Sequence, residues 1–279
     1  MSKIYVIGVL ILGVVGGFLL LKEREYVPTL PNVEKKSESF EVAEIKKKEE
    51  TPSVKEQSPK SESVVNTNTP PILLKNIGIN LDDYNPATQR AGDFQFTKAR
   101  LTFGRLFMPY GFVIPGSTSS TGRDKANPQP TFIVPLGTPV RSLVDGIVVS
   151  TPTLWSGDVS IQVTANGKLE KWVYETEHVM NPRVKAGDRV TAGQIVGEVS
   201  NFDKGAPDGY GAVEIGIVKG GNPPEHVCPF AYLDPSIKEE TLKKISSLYS
   251  AWESYVGNTS LYSESEPVVG CITLDAIEG

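Results

Sequence analysis

Val184-Lys185-Ala186-Gly187-Asp188-Arg189-Val190-Thr191-Ala192-Gly193-Gln194-Ile195-Val196-Gly197 is the stretch that decides the fold. Its glycines permit tight turns, and its valines and isoleucine fit a pleated, half-buried surface, so it reads as strand, turn, strand. Gly137-Thr138-Pro139-Val140 and Asp145-Gly146-Ile147-Val148 repeat the pattern upstream. Similar runs at residues 140–150, 159–163, 171–178, 194–199 and 212–218, bounded by Gly, Asp, Asn and Pro, predict a mainly β domain, an antiparallel β-sandwich. The domain is expected at residues 76–235, with its core at 103–235 and a loosely organised approach before it. Downstream, Ile237, Thr241, Leu242, Ile245, Leu248, Tyr249 and Trp252 recur at three- and four-residue steps. They predict an amphipathic C-terminal helix over 236–256 that packs on its own domain. Residues 257–279 read as an extended or mobile tail.

At the other end, residues 4–21 are 18 positions without a charge, just enough to cross a hydrocarbon core as a transmembrane helix. Leu19-Leu20-Leu21 runs directly into Lys22-Glu23-Arg24-Glu25 with no small-residue cleavage site, which favours an uncleaved single-pass anchor. Gly13 and Gly17 form a GxxxG spacing that suits a partner helix. Residues 22–75 are dense in Lys, Glu, Ser and Pro and cannot bury enough apolar surface to offset the entropy of ordering, so they read as a disordered tether.

Across 279 residues the formal charge is −5, which argues against a nucleic-acid partner, because such proteins carry a basic excess to displace counterions. The two cysteines, Cys228 and Cys271, are too few for a zinc ribbon. If the domain lies outside the cytoplasm they can pair as a disulfide, closing a loop of about 40 residues. His178 and His226 are the only histidines. Phosphate loops, nucleophile elbows and paired-carboxylate motifs are absent from the spacing.

Over residues 103–235, closing with Pro229-Phe230-Ala231-Tyr232-Leu233, the chain resembles the LytM or lysostaphin-type peptidoglycan endopeptidases. That resemblance implies the duplicated hybrid motif fold. It also implies one zinc held by the His and Asp of His-x-x-x-Asp and the second His of His-x-His, with two further histidines assisting the attacking water. Carried over by position, His-x-x-x-Asp falls on Asn127-Pro128-Gln129-Pro130-Thr131, and His-x-His falls on Ala212-Val213-Glu214. Only the strand-end histidine remains, as His178 in Thr176-Glu177-His178-Val179, with Thr176 where the family has tyrosine.

A catalytic zinc needs about three protein ligands and an open position for water. An amide, a hydroxyl, a methyl and one carboxylate do not provide them, so the resemblance implies a degenerate member with no zinc and no other cofactor. Rescue by Asp124, Asp208 or His226 would require a rearranged site. His178 without a metal reads as a structural histidine, and His226 as a surface residue in a proline-rich turn. Trp155, His178, Tyr210 and Glu214 are the candidates for lining a binding groove.

The expected function is a membrane-anchored, catalytically inactive module that binds, scaffolds or regulates at the cell envelope or in a phage virion membrane. Its N-terminus would lie inside and its C-terminal domain on the periplasmic or extracellular side. Its expected partners are peptidoglycan, a cell-wall hydrolase or another envelope protein. One alternative is an active zinc endopeptidase with substituted ligands. Another is a lipoyl-hairpin, membrane-fusion-type export adaptor, which shares the Val-x-x-Gly-Asp-x-Val-x-x-Gly-Gln run but normally inserts a long helical hairpin where residues 150–183 here are β-like.

Overall fold

β-branched residues at alternate positions favour strands, and strands dominate the structure. A computed structural model describes residues 68–118, 122–203 and 205–279. The expected span at 4–21 and most of the tether lie outside the described residues. Among those described, no helix is long and apolar enough to cross a membrane.

β1 (Arg90–Ala91) and β2 (Phe94–Gln95) form a small hairpin, followed by a 3-10 turn at Thr102–Gly104. β3 (Phe107–Met108) belongs to the main sheet, whereas β4 (Val113–Ile114) and β5 (Lys125–Ala126) pair only with each other. The main sheet continues with β6 (Thr131–Pro135), β7 (Pro139–Arg141), β8 (Gly146–Ser150) and β9 (Val159–Thr164). It is completed by β10 (Trp172–Met180), β11 (Arg189–Val190), β12 (Ile195–Val199), β13 (Tyr210–Lys219), β14 (Glu225–Val227) and β15 (Ile277–Glu278). These form one 11-stranded antiparallel sheet, in which the expected sandwich is hydrogen-bonded as a continuous whole.

The path runs β11-β8-β9-β10-β13-β14-β15 and branches twice: β12 joins β10 to β7, and β6 joins β13 to β3. Residues 150–183 carry β9 and β10, so the helical hairpin of an export adaptor is absent there. The run at 140–150 is two strands rather than one, and in the segment between β7 and β8 the Ser142 hydroxyl donates to the Val144 carbonyl at 2.8 Å.

Alternation buries Ile133, Val140, Val148, Ile161, Tyr174, Val199, Val213, Ile215 and Ile217 in a single core. α1 (Pro235–Val256) starts at a proline, with the Asp234 carboxylate accepting the Ser236 N–H at 2.9 Å, and ends at Gly257 in the left-handed region. Its apolar face docks on its own domain as expected. Tyr249 stacks on Phe107, and Trp252 packs edge-on against Phe96 while donating Nε1–H to the Gly104 carbonyl at 2.9 Å. Burial of Ile245, Leu248, Tyr249 and Trp252 contributes roughly 2 kcal/mol each.

Residues 257–279, read as an extended or mobile tail, return to the domain. Cys228 and Cys271 form a disulfide across a sequence separation of 43, worth about 4 kcal/mol in the chain-entropy account. Tyr262 stacks on Tyr249 with ring centroids 3.7 Å apart, and β15 pairs with β14 at the end of the sheet path.

Candidate functional site

The site is built on one face of three adjacent strands. In the β6–β13–β10 register Thr131 lies opposite Glu214, and Glu214 opposite Glu177. Paired residues project to the same face, so these three form a row. Gly216, Glu175 and Gln162 form the next row across β13, β10 and β9. Glycine at 216 leaves room for these side chains, since a Cβ there would lie 2.9 Å from the Gln129 amide nitrogen and 3.0 Å from a Glu175 carboxylate oxygen.

At the positions where the family resemblance places zinc ligands stands a chain of hydrogen bonds. Asn127 Nδ2 donates to Thr131 Oγ1 at 3.2 Å, and Thr131 Oγ1 donates to Glu214 Oε1 at 3.0 Å. Asn127 and Thr131 are buried, and Ala212, on the same face as Glu214, is buried too. Burial pushes the Glu214 carboxyl up to about 7, against the Thr131 hydroxyl and the field of Lys125, which hold it down. This donor set does not fit a zinc ion, since it offers one anionic oxygen among neutral groups already bonded to one another.

His178 lies beyond the row, where the β9–β10 register shifts between Thr176 and Val179. Its φ of 61° is left-handed, a conformation seldom adopted outside glycine, as befits a bulge that re-aims a side chain. Nδ1 lies 3.2 Å from both Asp158 oxygens, and Asp158 in turn accepts from the hydroxyls of Ser156 and Ser200. This carboxylate assigns the ring proton to Nδ1 and turns the Nε2 lone pair toward Glu214, whose Oε2 is 3.7 Å away. Burial lowers the His178 pKa and Asp158 opposes it, so the ring is neutral at pH 7. Phe202 stacks flat on the imidazole with centroids 3.3 Å apart, and Trp155, 84% exposed, stands edge-on to it at 6.2 Å. Glu177, His178 and Glu214 bring three potential ligand atoms within 4.8 Å of one another. Burial, followed by the fields of Glu175 and Glu214, raises the Glu177 pKa.

His226 corrects the sequence reading: it is buried on β14, and its Nε2 lies 3.3 Å from Glu175 Oε1. Glu175 also accepts from Gln129 at 2.9 Å and from Gln162 at 3.1 Å. The exposed reading failed because a proline-rich turn says nothing about the strand, β15, that covers the one following it. Tyr210 opens β13 half-buried and donates its hydroxyl to the Gln95 carbonyl at 3.0 Å, which ties it to the β1–β2 hairpin. Asp124 accepts the Gly116 N–H at 2.8 Å and is exposed, as is Asp208. Neither belongs to the group of potential ligands.

Sequence reasoning missed Asp158, Glu175, Glu177, Gln129 and Phe202. The alternation of Glu175 and Glu177 in a run already read as a strand was the available signal. No spacing announces Asp158 or Phe202.

No family model matches the chain, and no curated relative does. Among solved structures it is similar to a mutant catalytic domain of the prophage-encoded M23 protein EnpA from Enterococcus faecalis. The identity there is 25% and the TM-score 0.33, covering 49% of this chain and 93% of that one. It is also similar to the catalytic domain of the antimicrobial peptidase lysostaphin from Staphylococcus simulans, at 22% identity and a TM-score of 0.32, covering 41% of this chain and 79% of that one. A third structure, LytU, has 24% identity and a TM-score of 0.34, covering 52% of this chain and 88% of that one.

Proposed function

We propose that this chain is a non-catalytic, peptidase-like envelope protein. On this reading residues 4–21 anchor it in a membrane, residues 22–75 tether it, and the β domain binds or scaffolds peptidoglycan or a protein acting there. One observation carries the reading: at the positions matched to zinc ligands, Asn127, Thr131 and Glu214 satisfy one another through hydrogen bonds of 3.2 and 3.0 Å. Neutral oxygen donors do not hold a divalent ion against water, and without the ion there is no water of lowered pKa to act as nucleophile. The exposed Trp155 beside His178 supports a binding surface, because a solvated indole is a ready stacking platform for a sugar or peptide.

The test uses the full chain, purified in detergent from zinc-supplemented medium. Metal analysis should find far less than one zinc per chain, purified sacculi should retain the protein, and they should release no peptide. Stoichiometric zinc with chelator-sensitive release would establish the second reading, an active endopeptidase with substituted ligands. The observation in favour of that reading is the Glu177, His178 and Glu214 group.

A further inference from the structure

Aromatic rings from α1, the tail and the segment before β4 form a stack that includes an arginine. Tyr249 lies flat on Tyr262 with ring centroids 3.7 Å apart, so the Arg105 guanidinium, 4.9 Å from the Tyr262 centroid, takes the opposite face of that ring. The same guanidinium stands 4.8 Å over Phe112. Both contacts use its faces, whereas its N–H donors lie in its plane. Among the described residues no acceptor takes a hydrogen bond from those donors and no acid forms an ion pair with them. Arg141 and Arg183, by comparison, are paired with Asp93 at 3.1 Å and with Glu198 at 3.0 Å. Glu266 feels Arg105 only through its field, because its Oε2 accepts the Gly270 N–H at 2.7 Å and its buried Oε1 has no partner. Arg105 is thus a cation held in place by rings, partly exposed and with its hydrogen bonds unmade.

Its position ties it to the candidate site. The Phe112 carbonyl accepts the Asn127 N–H at 2.7 Å, and Asn127 begins the hydrogen-bonded row that ends at Glu214. Three residues before Arg105, the Thr102 hydroxyl donates to Asp203 at 2.5 Å, in the loop that lays Phe202 on His178. Shape then selects among anions. A guanidinium covered on its faces is approached in its own plane, which suits the coplanar, two-point hydrogen bonding of a carboxylate. A tetrahedral phosphate carries oxygens out of that plane, toward ring faces that are themselves negative. The cavity of about 280 Å³ between residues 75–82 and α1 offers no comparable group, since its rim charges are paired, Lys75 with Asp145 and Lys244 with Asp82 and Glu240.

We propose that Arg105, stacked on Phe112 and Tyr262, binds the free carboxylate of an envelope peptide, an inference that rests on the wall-binding reading above. The carboxylate accepts two parallel N–H bonds from the guanidinium, and the rings keep water from its faces.

Two measurements on the full chain test this. The first compares retention on native sacculi with retention on sacculi whose carboxyl groups have been amidated. The second titrates the protein with Nα-acetyl-alanine, with its carboxamide and with inorganic phosphate. Amidation should weaken both interactions about tenfold or more, and Arg105→Lys, which keeps the charge but loses the planar fork, should weaken binding of the acid by about as much. Arg105→Gln is the second variant, with thermal melts to show that both fold; the comparison of acid with amide needs no variant and decides even if neither does. Equal retention on native and amidated sacculi, with no preference for the acid, overturns this inference and leaves wall binding standing. Binding of the acid without retention on any sacculus supports the Arg105 site and overturns wall binding. Phosphate bound as tightly as the acid, or binding of the acid that both variants leave unchanged, overturns the inference. So do losses of stability in Arg105→Gln and Glu266→Gln that fail to add in the double variant, because they would make Glu266 the partner of Arg105.

Discussion

Two parts of one sheet face make opposite use of buried polar groups. Around Glu175, Gln129, Gln162 and His226 converge on one carboxylate and Gly216 leaves room for them, while the other ring nitrogen of His226, Nδ1, is buried without a partner. Around Glu214 and Glu177, a few ångströms along the same strands, two carboxylates lie beside the His178 ring, with donors from Thr131 to Glu214 and from Gln129 and Ser160 to Glu177. The first arrangement is what a stable fold requires, since a buried polar group without a partner costs free energy. In the second, burial and neighbouring carboxylates raise both carboxyl pKa values, so protonation relieves the repulsion between them.

The comparison is broken most directly by restoring a metal. Asn127→His, Thr131→Asp and Glu214→His made together should convert the hydrogen-bonded row into a three-ligand set and raise zinc content from a small fraction to about one per chain, read by metal analysis. A triple variant that folds and stays metal-free would show that the strands no longer hold these positions in ligand geometry.

Glu175→Ala leaves His226 and two amides without their acceptor and should cost about 3–5 kcal/mol in denaturant melts. Glu177→Gln removes one of two repelling carboxylates and should be neutral or stabilising. Equal losses from the two variants would erase the distinction between the regions.

The third prediction concerns pH. Folding lifts the Glu214 carboxyl from 4.5 to about 7, so the folded state binds more protons than the unfolded state between these values. Stability therefore falls as pH rises through this window, by about 3 kcal/mol for this group, and levels off above it. Glu214→Gln should flatten that part of the stability profile, while Glu177 keeps a slope of the same sign. The smallest effect is expected at Trp155, where Ala should change stability by less than about 0.5 kcal/mol, because so exposed a ring contributes little packing.

The sequence by itself determined the strand-rich domain and the amphipathic helix at 236–256. These follow from residue type and short-range period, which act within a few positions of one another. Only the tertiary structure decided that His226 is buried against Glu175, 51 residues away in sequence, that Cys228 is bonded to Cys271, and that the tail returns as a strand beside β14. The position of Asp158 behind His178 was likewise out of reach of any motif, because a left-handed bulge at His178 sets the direction of the imidazole. Pairings of this kind depend on which strands become neighbours, and alternation within a strand specifies a buried face without naming what lies across from it.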